Sequence, residues 1–568
     1  MLRYPPSVLL ASLLLIPAGL VAQQSQPADL IVTAHRIYTV DDGRPVAEAI
    51  AERGGHIVFV GSERGAMALK GPATKIVAYP HATIYPGFID AHAHLLELGA
   101  GLREVDLVGT TSYDEVVQRV VERAKQVPAG AWIIGRGWDQ NDWGDTRFPT
   151  HEALSRAVPN NPVVLSRVDG HALLANAKAM ALAHVTAATK DPAGGRIVRL
   201  PNGDPSGVFV DNAKALIERV VPAPTHEETK EAIVAGAKEA NRWGLIGVDD
   251  PGEPRAVIET YEELAKAGQL PLRAYIMIRD NKADLDYYFA KGPQSALYDG
   301  HLWIRSIKMY MDGALGSRGA ALLDPYSDDP GNSGLFVTPP AHIREVAIEA
   351  LKHGFQVCVH AIGDRGNRTV LDQFEAALKE VPVADHRFRI EHAQILNYAD
   401  IPRFAELDVI PSMQATHATS DMYWAGKRLG SSRLYGAYAW RSLLNTGVIV
   451  PNGTDAPVEP INTLRTFHSA ISRQDEQNYP AGGWYPEQRM TREEALKSMT
   501  IWPAEAAFQE RIMGSLTPGK YADFVVLDQD IMTVAPEDIM STQVVATYLA
   551  GKPVYERGRS APSVTDSR

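Results

Sequence analysis

Cysteine is almost absent from this chain of 568 residues, in which Cys358 stands alone. A single thiol excludes a disulfide within the chain and a cysteine-rich zinc site. The chain also lacks an excess of basic residues, because its formal net charge is -12 at pH 7. A field of that sign repels phosphate backbones, so we expect no nucleic acid partner.

Long hydrophobic runs are missing as well, apart from one compact stretch near the start. Residues 8–16 are apolar, follow the positive residue Arg3 and precede small residues up to Ala22. This order predicts a signal peptide over residues 1–22 and a periplasmic or secreted protein. An uncleaved N-terminal anchor is the alternative. After cleavage we expect no stable membrane insertion, because a span needs about 20 apolar residues.

The two ends of the remaining chain share one pattern. Residues 29–83 and 510–558 contain short apolar segments that Gly and Asp separate, which is typical of β-strands. Neither end is long enough for a comfortable core of its own. We therefore expect both ends to pair into one small β-sandwich domain.

The middle of the chain, residues 84–509, alternates short apolar strands with helical stretches, which favours parallel βα units. Eight strands can be counted if residues from about 110 to 225 are an insertion after the first strand. This count predicts an α/β fold, a (β/α)8 TIM-like barrel with a cap; an open doubly wound sheet is the competing layout. The eight candidate strands are residues 84–94, 245–249, 272–276, 304–311, 356–360, 389–392, 409–413 and 448–452.

Candidate metal ligands fall at the ends of these strands, where a barrel forms its site. His92 and His94 are two residues apart, so the alternation of a strand places both on one face. The fifth and sixth strands end at His360 and His392, and the eighth runs into Asp455. Imidazole and carboxylate ligands suit zinc, although manganese, iron and nickel are alternatives.

The fourth predicted strand carries a lysine on a face with Ser306, Tyr310 and Asp312. If that face points into the barrel, burial of the Lys308 ammonium is costly and lowers its pKa toward the neutral amine. A neutral amine can add carbon dioxide to give a carbamate. We interpret Lys308 as an N6-carboxylated ligand that bridges a centre of one or two divalent metals per chain.

Five segments together resemble the amidohydrolase superfamily, and in particular its YtcJ-like branch, which includes the N-substituted formamide deformylases. They are residues 87–94, 307–319, 359–365, 389–394 and 453–458. The resemblance implies these roles: His92 and His94 for the more buried metal, carboxylated Lys308 as the bridge, His360 and His392 for the second metal, and Asp455 for metal binding and proton transfer.

The function expected from this set is hydrolysis of a C–N amide-type bond by metal-activated hydroxide. An N-acyl or N-formyl amine or a small peptide-like amide would be the substrate, and Asp455 would pass the water's proton to the leaving nitrogen. Ester or lactone hydrolysis, deamination and a non-enzymatic binding protein are the alternatives. Deaminase members typically carry Glu where this chain has Gly363, and they lack the strand lysine, so deamination is disfavoured.

Substrate contacts are expected from loops around the barrel mouth. Trp138 and His171 follow the two insertion strands and could line the pocket, while Arg318 could hold a substrate carboxylate. The alternatives are cap packing for Trp138 and a surface ion pair for Arg318. Asp312 and Asp364 are candidates for orienting the ligands, against plain surface or capping roles. A small molecule is the expected partner, and a homodimer is left open.

Overall fold

A computed structural model describes residues 26–102, 104–222 and 224–558. The predicted signal peptide, residues 1–22, lies outside the described residues. Within the described ranges, no helix is both long enough and apolar enough to cross a bilayer.

The strands are β1 Leu30–Tyr38, β2 Val46–Arg53, β3 His56–Gly61, β4 Lys75–Pro86, β5 Phe88–Asp90, β6 Val105–Asp106, β7 Ile133–Trp138, β8 Val163–Arg167, β9 Ala172–Ala175, β10 Gly195–Arg199, β11 Pro205–Asp211, β12 Leu245–Glu253, β13 Arg273–Arg279, β14 Gln294–Ala296, β15 Leu302–Tyr310, β16 Gln356–Ala361, β17 Arg389–His392, β18 Ile410–Ser412, β19 Phe524–Leu527, β20 Val544–Leu549 and β21 Lys552–Glu556. The helices are α1 Glu63–Met67, α2 Leu95–Gly101, α3 Tyr113–Ala124, α4 His151–Ala157, α5 Ala177–Leu182, α6 Ala215–Glu218, α7 His226–Arg242, α8 Arg255–Lys266, α9 Lys282–Lys291, α10 Leu297–Gly300, α11 Pro340–His353, α12 Asp364–Glu380, α13 Ile401–Glu406, α14 Ala415–Asp421, α15 Ala425–Leu429, α16 Trp440–Leu444, α17 Thr463–Ser472, α18 Arg492–Ser498 and α19 Ile501–Ala506.

Parallel strands in the order β5-β12-β13-β15-β16-β17-β18 form the wall of a barrel. Residues 448–453 complete the ring: the Met413 N–H donates to Pro451 O at 2.9 Å, and the Ala91 N–H donates to Asn452 O at 3.2 Å. This closure confirms the predicted TIM-like barrel over the open sheet. Pro411 and Pro451 both lack an N–H, which explains why the pairing here is sparse.

The predicted first strand, residues 84–94, is divided between two sheets at Gly87. Residues up to Pro86 belong to β4 of the sheet formed by the chain ends, whereas β5 of the barrel begins at Phe88. A Cβ at position 87 would lie 2.3 Å from Ile246 Cγ1. Only glycine therefore allows the backbone to pass this close to the second barrel strand.

Both chain ends contribute to one seven-stranded sheet, in the order β21-β20-β19-β4-β1-β2-β3. The antiparallel pairing of β19 with β4 joins the two ends. Leu30 and Val32 pack in the same buried cluster as Phe524 and Val526. The ends thus share one core, which is the physical reason that neither needs to fold alone.

The insertion after the first barrel strand has its own sheet of six strands, in the order β10-β11-β9-β8-β7-β6. Leu165, Leu174 and Val208 belong to its core. Arg136 of β7 donates hydrogen bonds to Pro457 O and, at 3.0 Å, to Val168 O. This contact ties the insertion to the loop that follows the eighth barrel segment, and so places it over the carboxyl ends of the strands.

Candidate metal centre

Asp455 lies within a group of buried polar side chains at the carboxyl ends of the barrel strands. Its Oδ1 is 3.3 Å from His94 Nε2 and 3.6 Å from His92 Nε2. Lys308 Nζ lies 3.2 Å from the same His92 nitrogen. Asp455 has a φ of 58°, in the left-handed region that residues with a Cβ avoid. Such strain persists only where the surroundings fix the conformation, as they do at functional sites.

His360 and His392 extend this group along the next two strands. Their ring centroids are 4.6 Å apart, and the His392 ring is 5.1 Å from that of His92. Neighbouring residues of a strand point to opposite faces, yet Glu391 and His392 both lie beside His92. The φ of 72° at His392 departs from strand geometry and accounts for this orientation.

His417 belongs to the same group, although the sequence pattern did not single it out. Its Nε2 is 3.6 Å from Asp455 Oδ2, and its ring stacks on that of His392 at 5.8 Å. The residue follows β18 by five positions and sits inside the short helix α14 rather than at a strand end. No spacing pattern in the sequence distinguished it from the other lone histidines.

Hydrogen bonds to one ring nitrogen direct the other nitrogen of two histidines toward the centre. His92 Nδ1 is 2.6 Å from Glu391 Oε2, and His392 Nδ1 is 2.7 Å from Gln414 Oε1. An acceptor on Nδ1 keeps the proton there and leaves the lone pair on Nε2 for a metal. Glu391 and Gln414 were not predicted for this role.

The two carboxylates that were predicted to orient ligands accept hydrogen bonds from backbone N–H groups, and Asp312 Oδ1 also lies 3.8 Å from His360 Nε2. Asp312 accepts from the Ile362 N–H at 2.9 Å and from two further backbone N–H groups, so it fixes the loop that follows His360. Burial raises the pKa of Asp312 to about 7, although these N–H groups lower it. Asp364 begins α12 and accepts from the Leu323 N–H at 2.8 Å. It holds the loop at Leu323 and does not cap the helix, whose N-cap is Gly363 without a side-chain cap hydrogen bond.

Burial controls the charge of the centre. It lowers the pKa of His92 to about 4, and those of His360 and His392 well below the ordinary value, so these imidazoles are neutral. Burial also lowers the pKa of Lys308 to about 8, although Glu391 and Asp455 raise it. For Asp455, burial raises the pKa, but the close approach of His94 and the nearby histidines outweigh burial and hold it well below its usual value. Neutral imidazoles with a charged carboxylate are the forms that bind metals.

Three buried polar atoms of this group lack a hydrogen-bond partner, and a bound cation would supply one. His360 Nε2, His417 Nε2 and Asp455 Oδ1 have no hydrogen-bond partner among the described residues. Each unpaired buried polar atom costs about 1–3 kcal/mol, and a metal ion at the centre would satisfy all three. Two sets of ligand atoms lie within 4.8 Å of one another: His92, His94 and Asp455, and His392, His417 and Asp455. The donor set therefore fits a divalent metal of the zinc type.

The insertion brings one of the predicted substrate contacts to the centre. His171 lies with its ring centroid 5.1 Å from that of His360. Its Nδ1 is 2.7 Å from Asp211 Oδ1, so the ring is held in place from the insertion side. For His171, burial lowers the pKa, but the hydrogen bond and charge of Asp211 outweigh burial and raise it.

The other two predicted contacts have different environments. Trp138 is fully buried, donates from Nε1 to Leu165 O at 2.8 Å and packs against Trp143. It therefore packs the core of the insertion and does not line the mouth. Arg318 Nη2 lies 3.0 Å from Asp328 Oδ2. Its guanidinium is thus already paired with a carboxylate of the chain, as the ion-pair alternative expected.

The amidohydrolase family matches residues 82–555. The chain belongs to this family. Protein LONG AFTER FAR-RED 3 of Arabidopsis thaliana is 35% identical to this amidohydrolase over 552 residues, which cover 95% of this chain and 92% of that protein. Putative amidohydrolase YtcJ of Bacillus subtilis is 32% identical, over 92% of this chain and 98% of that protein.

An enzyme and a solved structure are also similar to this amidohydrolase. N-substituted formamide deformylase of Arthrobacter pascens is 27% identical, over 94% of this chain and 99% of that protein. An uncharacterized metal-dependent hydrolase from Pyrococcus horikoshii has a TM-score of 0.73 and 26% identity, over 89% of this chain and 99% of that chain. These similarities confirm the predicted family and establish a metal-dependent hydrolase.

Proposed function

We propose that this amidohydrolase cleaves a C–N amide-type bond in an N-acyl or N-formyl amine or a small peptide-like amide. The position of Asp455 carries the proposal, because this buried carboxylate has one oxygen 3.3 Å from His94 Nε2 and the other 3.6 Å from His417 Nε2. Such a group can accept a proton from water and return it to a leaving nitrogen. The similarity to a formamide deformylase supports this bond class.

The donor types favour zinc, with one or two divalent ions per chain. The metal would be held by His92, His94, Lys308, His360, His392 and Asp455. When bound, the metal supplies Lewis acidity, which activates water and polarises a carbonyl. Asp455 takes the proton of the attacking water and delivers it to the leaving nitrogen. His171, which Asp211 holds beside His360, contacts the polar end of the substrate from the insertion.

Carboxylation of Lys308 is part of the proposal. A lysine cation beside a divalent ion would be strongly repelled, because like charges in a buried site are poorly screened. The amine must therefore lose its proton when metal binds, and its pKa of about 8 makes that loss cheap. The neutral amine then adds carbon dioxide, losing a proton, and becomes a carbamate anion. That anion would serve as the bridging ligand.

Export to the periplasm or the medium is also proposed, on the pattern of residues 1–22. N-terminal sequencing of the mature protein from fractionated cells would test it. An intact N-terminus in the cytoplasmic fraction would reject it.

A substrate panel tests the function. The protein, loaded with zinc or manganese, is assayed against N-acyl amino acids, N-formyl amines, dipeptides and lactones, before and after chelation. We expect hydrolysis of at least one amide class, loss of activity on chelation and recovery on metal addition. Hydrolysis of lactones or esters alone would reject the C–N proposal. The same activity in the Asp455→Asn variant would reject the role of that carboxylate.

A further inference from the structure

The two oxygens of Asp455 face different histidines. Oδ1 lies 3.3 Å from His94 Nε2 and 3.6 Å from His92 Nε2, whereas Oδ2 lies 3.6 Å from His417 Nε2. The His392 ring stacks on the His417 ring, with the two centroids 5.8 Å apart. A carboxylate that meets one histidine group on each oxygen has the geometry of a bridge.

His417 is buried and has a ring nitrogen that is free to bind a metal. It is 8% exposed, and its Nε2 has no hydrogen-bond partner within the described part of the chain. A buried imidazole nitrogen without a partner is costly, and structural histidines are normally hydrogen-bonded. His386 illustrates the contrast, since its Nε2 is 3.1 Å from Leu407 O and its Nδ1 accepts from the Phe388 N–H at 2.9 Å.

The helix that carries His417 is fixed at both ends. The Ala415 N–H donates to Asn452 Oδ1 at 2.9 Å, and Thr419 Oγ1 is 3.1 Å from Ser469 Oγ. Asp421, at the end of α14, accepts from Gln394 Nε2 at 3.1 Å, two residues after His392. These contacts fix the position of His417 relative to His392, so the two ring nitrogens are already placed to bind one metal ion.

We propose that His417 is a metal ligand and that Asp455 bridges two metal positions: His92 and His94 with Oδ1 at the first, and His392 and His417 with Oδ2 at the second. The inference rests on the proposed metal centre, but not on which bond the enzyme cleaves. The second position has room for His360 and a carboxylated Lys308 as well, because zinc at catalytic sites can expand from four ligands to five.

Metal titration of the apoprotein tests this assignment without using activity. The protein is stripped with a chelator and titrated with Co²⁺, which reports each bound equivalent by its visible spectrum. Wild type should bind two equivalents. His417→Ala should keep the first unchanged and bind the second about 100-fold more weakly, the share of one ligand in a four-ligand site.

Matched variants separate ligand loss from general damage. His353→Ala removes a histidine that is 41% exposed on α11, and it should bind both equivalents like wild type. His392→Ala should show the same selective loss as His417→Ala. His417→Gln retains the bulk of the side chain, and circular dichroism with thermal unfolding would verify that each variant folds.

X-ray absorption of the wild-type protein with one and two equivalents of Co²⁺ gives an independent reading. The average shell should stay at two or more imidazoles per cobalt when the second equivalent is added, because each proposed position carries two histidines. Full affinity for both equivalents in a folded His417 variant would overturn the proposal, as would a single equivalent in wild type that His417→Ala does not alter. Absence of any metal binding in wild type would instead reject the proposed function, whereas two equivalents without amide hydrolysis would reject only the substrate class.

Discussion

Glu391 Oε2 lies 2.6 Å from His92 Nδ1 inside the barrel, and Arg389 Nε lies 2.7 Å from the other oxygen of the same carboxylate. Arg389 also reaches Asp249 Oδ2 at 2.6 Å. Burial raises the pKa of Glu391, but Arg389 and His92 outweigh burial and hold it far below the ordinary range. A permanently charged acceptor fixes the proton on His92 Nδ1 and keeps Nε2 free for a metal.

Replacement of that acceptor, Glu391→Gln, should weaken metal binding about 10- to 100-fold, because the His92 tautomer is no longer enforced. The free energy of unfolding should fall by about 3–5 kcal/mol, since Arg389 loses a buried partner. Metal titration and urea unfolding measure the two effects. Glu510→Gln is the control, because Glu510 pairs with Arg387 at 28% exposure; that change should cost no more than about 1 kcal/mol. Unaltered metal affinity in Glu391→Gln would exclude the orienting role.

Lys308→Ala should lose metal and activity, with partial recovery when a short carboxylic acid is added in place of the carbamate. Elemental analysis and assays with and without propionate measure this. In wild type, growth with ¹³C-bicarbonate should produce a carbamate carbon signal that the variant lacks. Unchanged metal content in Lys308→Ala would reject the carbamate.

The buried amine should also make the stability of the apoprotein depend on pH. Its pKa of about 8 in the folded state lies below the ordinary 10.5, so the folded state binds fewer protons between these values. Unfolding then takes up a proton, and stability rises with pH across that window, by about 3 kcal/mol in total. Relative to Lys308→Met, wild type should gain this amount in urea unfolding from about pH 8 to 10.5. Parallel profiles for the two proteins would contradict the assignment.

Asp455→Asn should lower kcat by roughly 100- to 10,000-fold at saturating metal, because the amide cannot accept a proton. Single-turnover assays at high metal concentration separate this effect from weaker metal binding. Asp364→Asn is a suitable control, since Asp364 holds the Leu323 backbone N–H and has no assigned role in the reaction. Near-normal turnover in Asp455→Asn would remove its proton-transfer role.

His171→Ala should lower kcat/KM about 10- to 100-fold, because one hydrogen bond to a polar substrate group is lost. The metal content should stay unchanged. Asp211→Asn should act in the same direction, because it removes the acceptor that holds His171 Nδ1. Arg318→Ala should stay within about two-fold of wild type, since Arg318 is paired with Asp328. Equal kcat/KM in His171→Ala and wild type would place His171 outside the substrate site.

Strand-end position correctly predicted most of the side chains that meet inside the barrel, and it missed those that lie elsewhere in the chain. His92, His94, Lys308 and Asp455 follow or end apolar segments, and the structure brings them together. His417 was not predicted as a ligand, because a short helix carries it and a lone histidine has no spacing pattern that distinguishes it from a structural one. The residues that orient the ligands could not be predicted either, since Glu391 meets His92 across 299 positions of the chain.

The sequence alone determined the alternation of strands and helices, the pairing of the chain ends and the types of ligand, because hydrophobic period and local spacing are written along the chain. Tertiary structure decided in which direction each side chain points and which other side chains it contacts. Ring closure through Asn452 and the left-handed backbone at His392 and Asp455 aim donors at one point. Tertiary structure also supplied partners for two of the predicted substrate contacts, because Trp138 donates to Leu165 O inside the insertion and Arg318 pairs with Asp328.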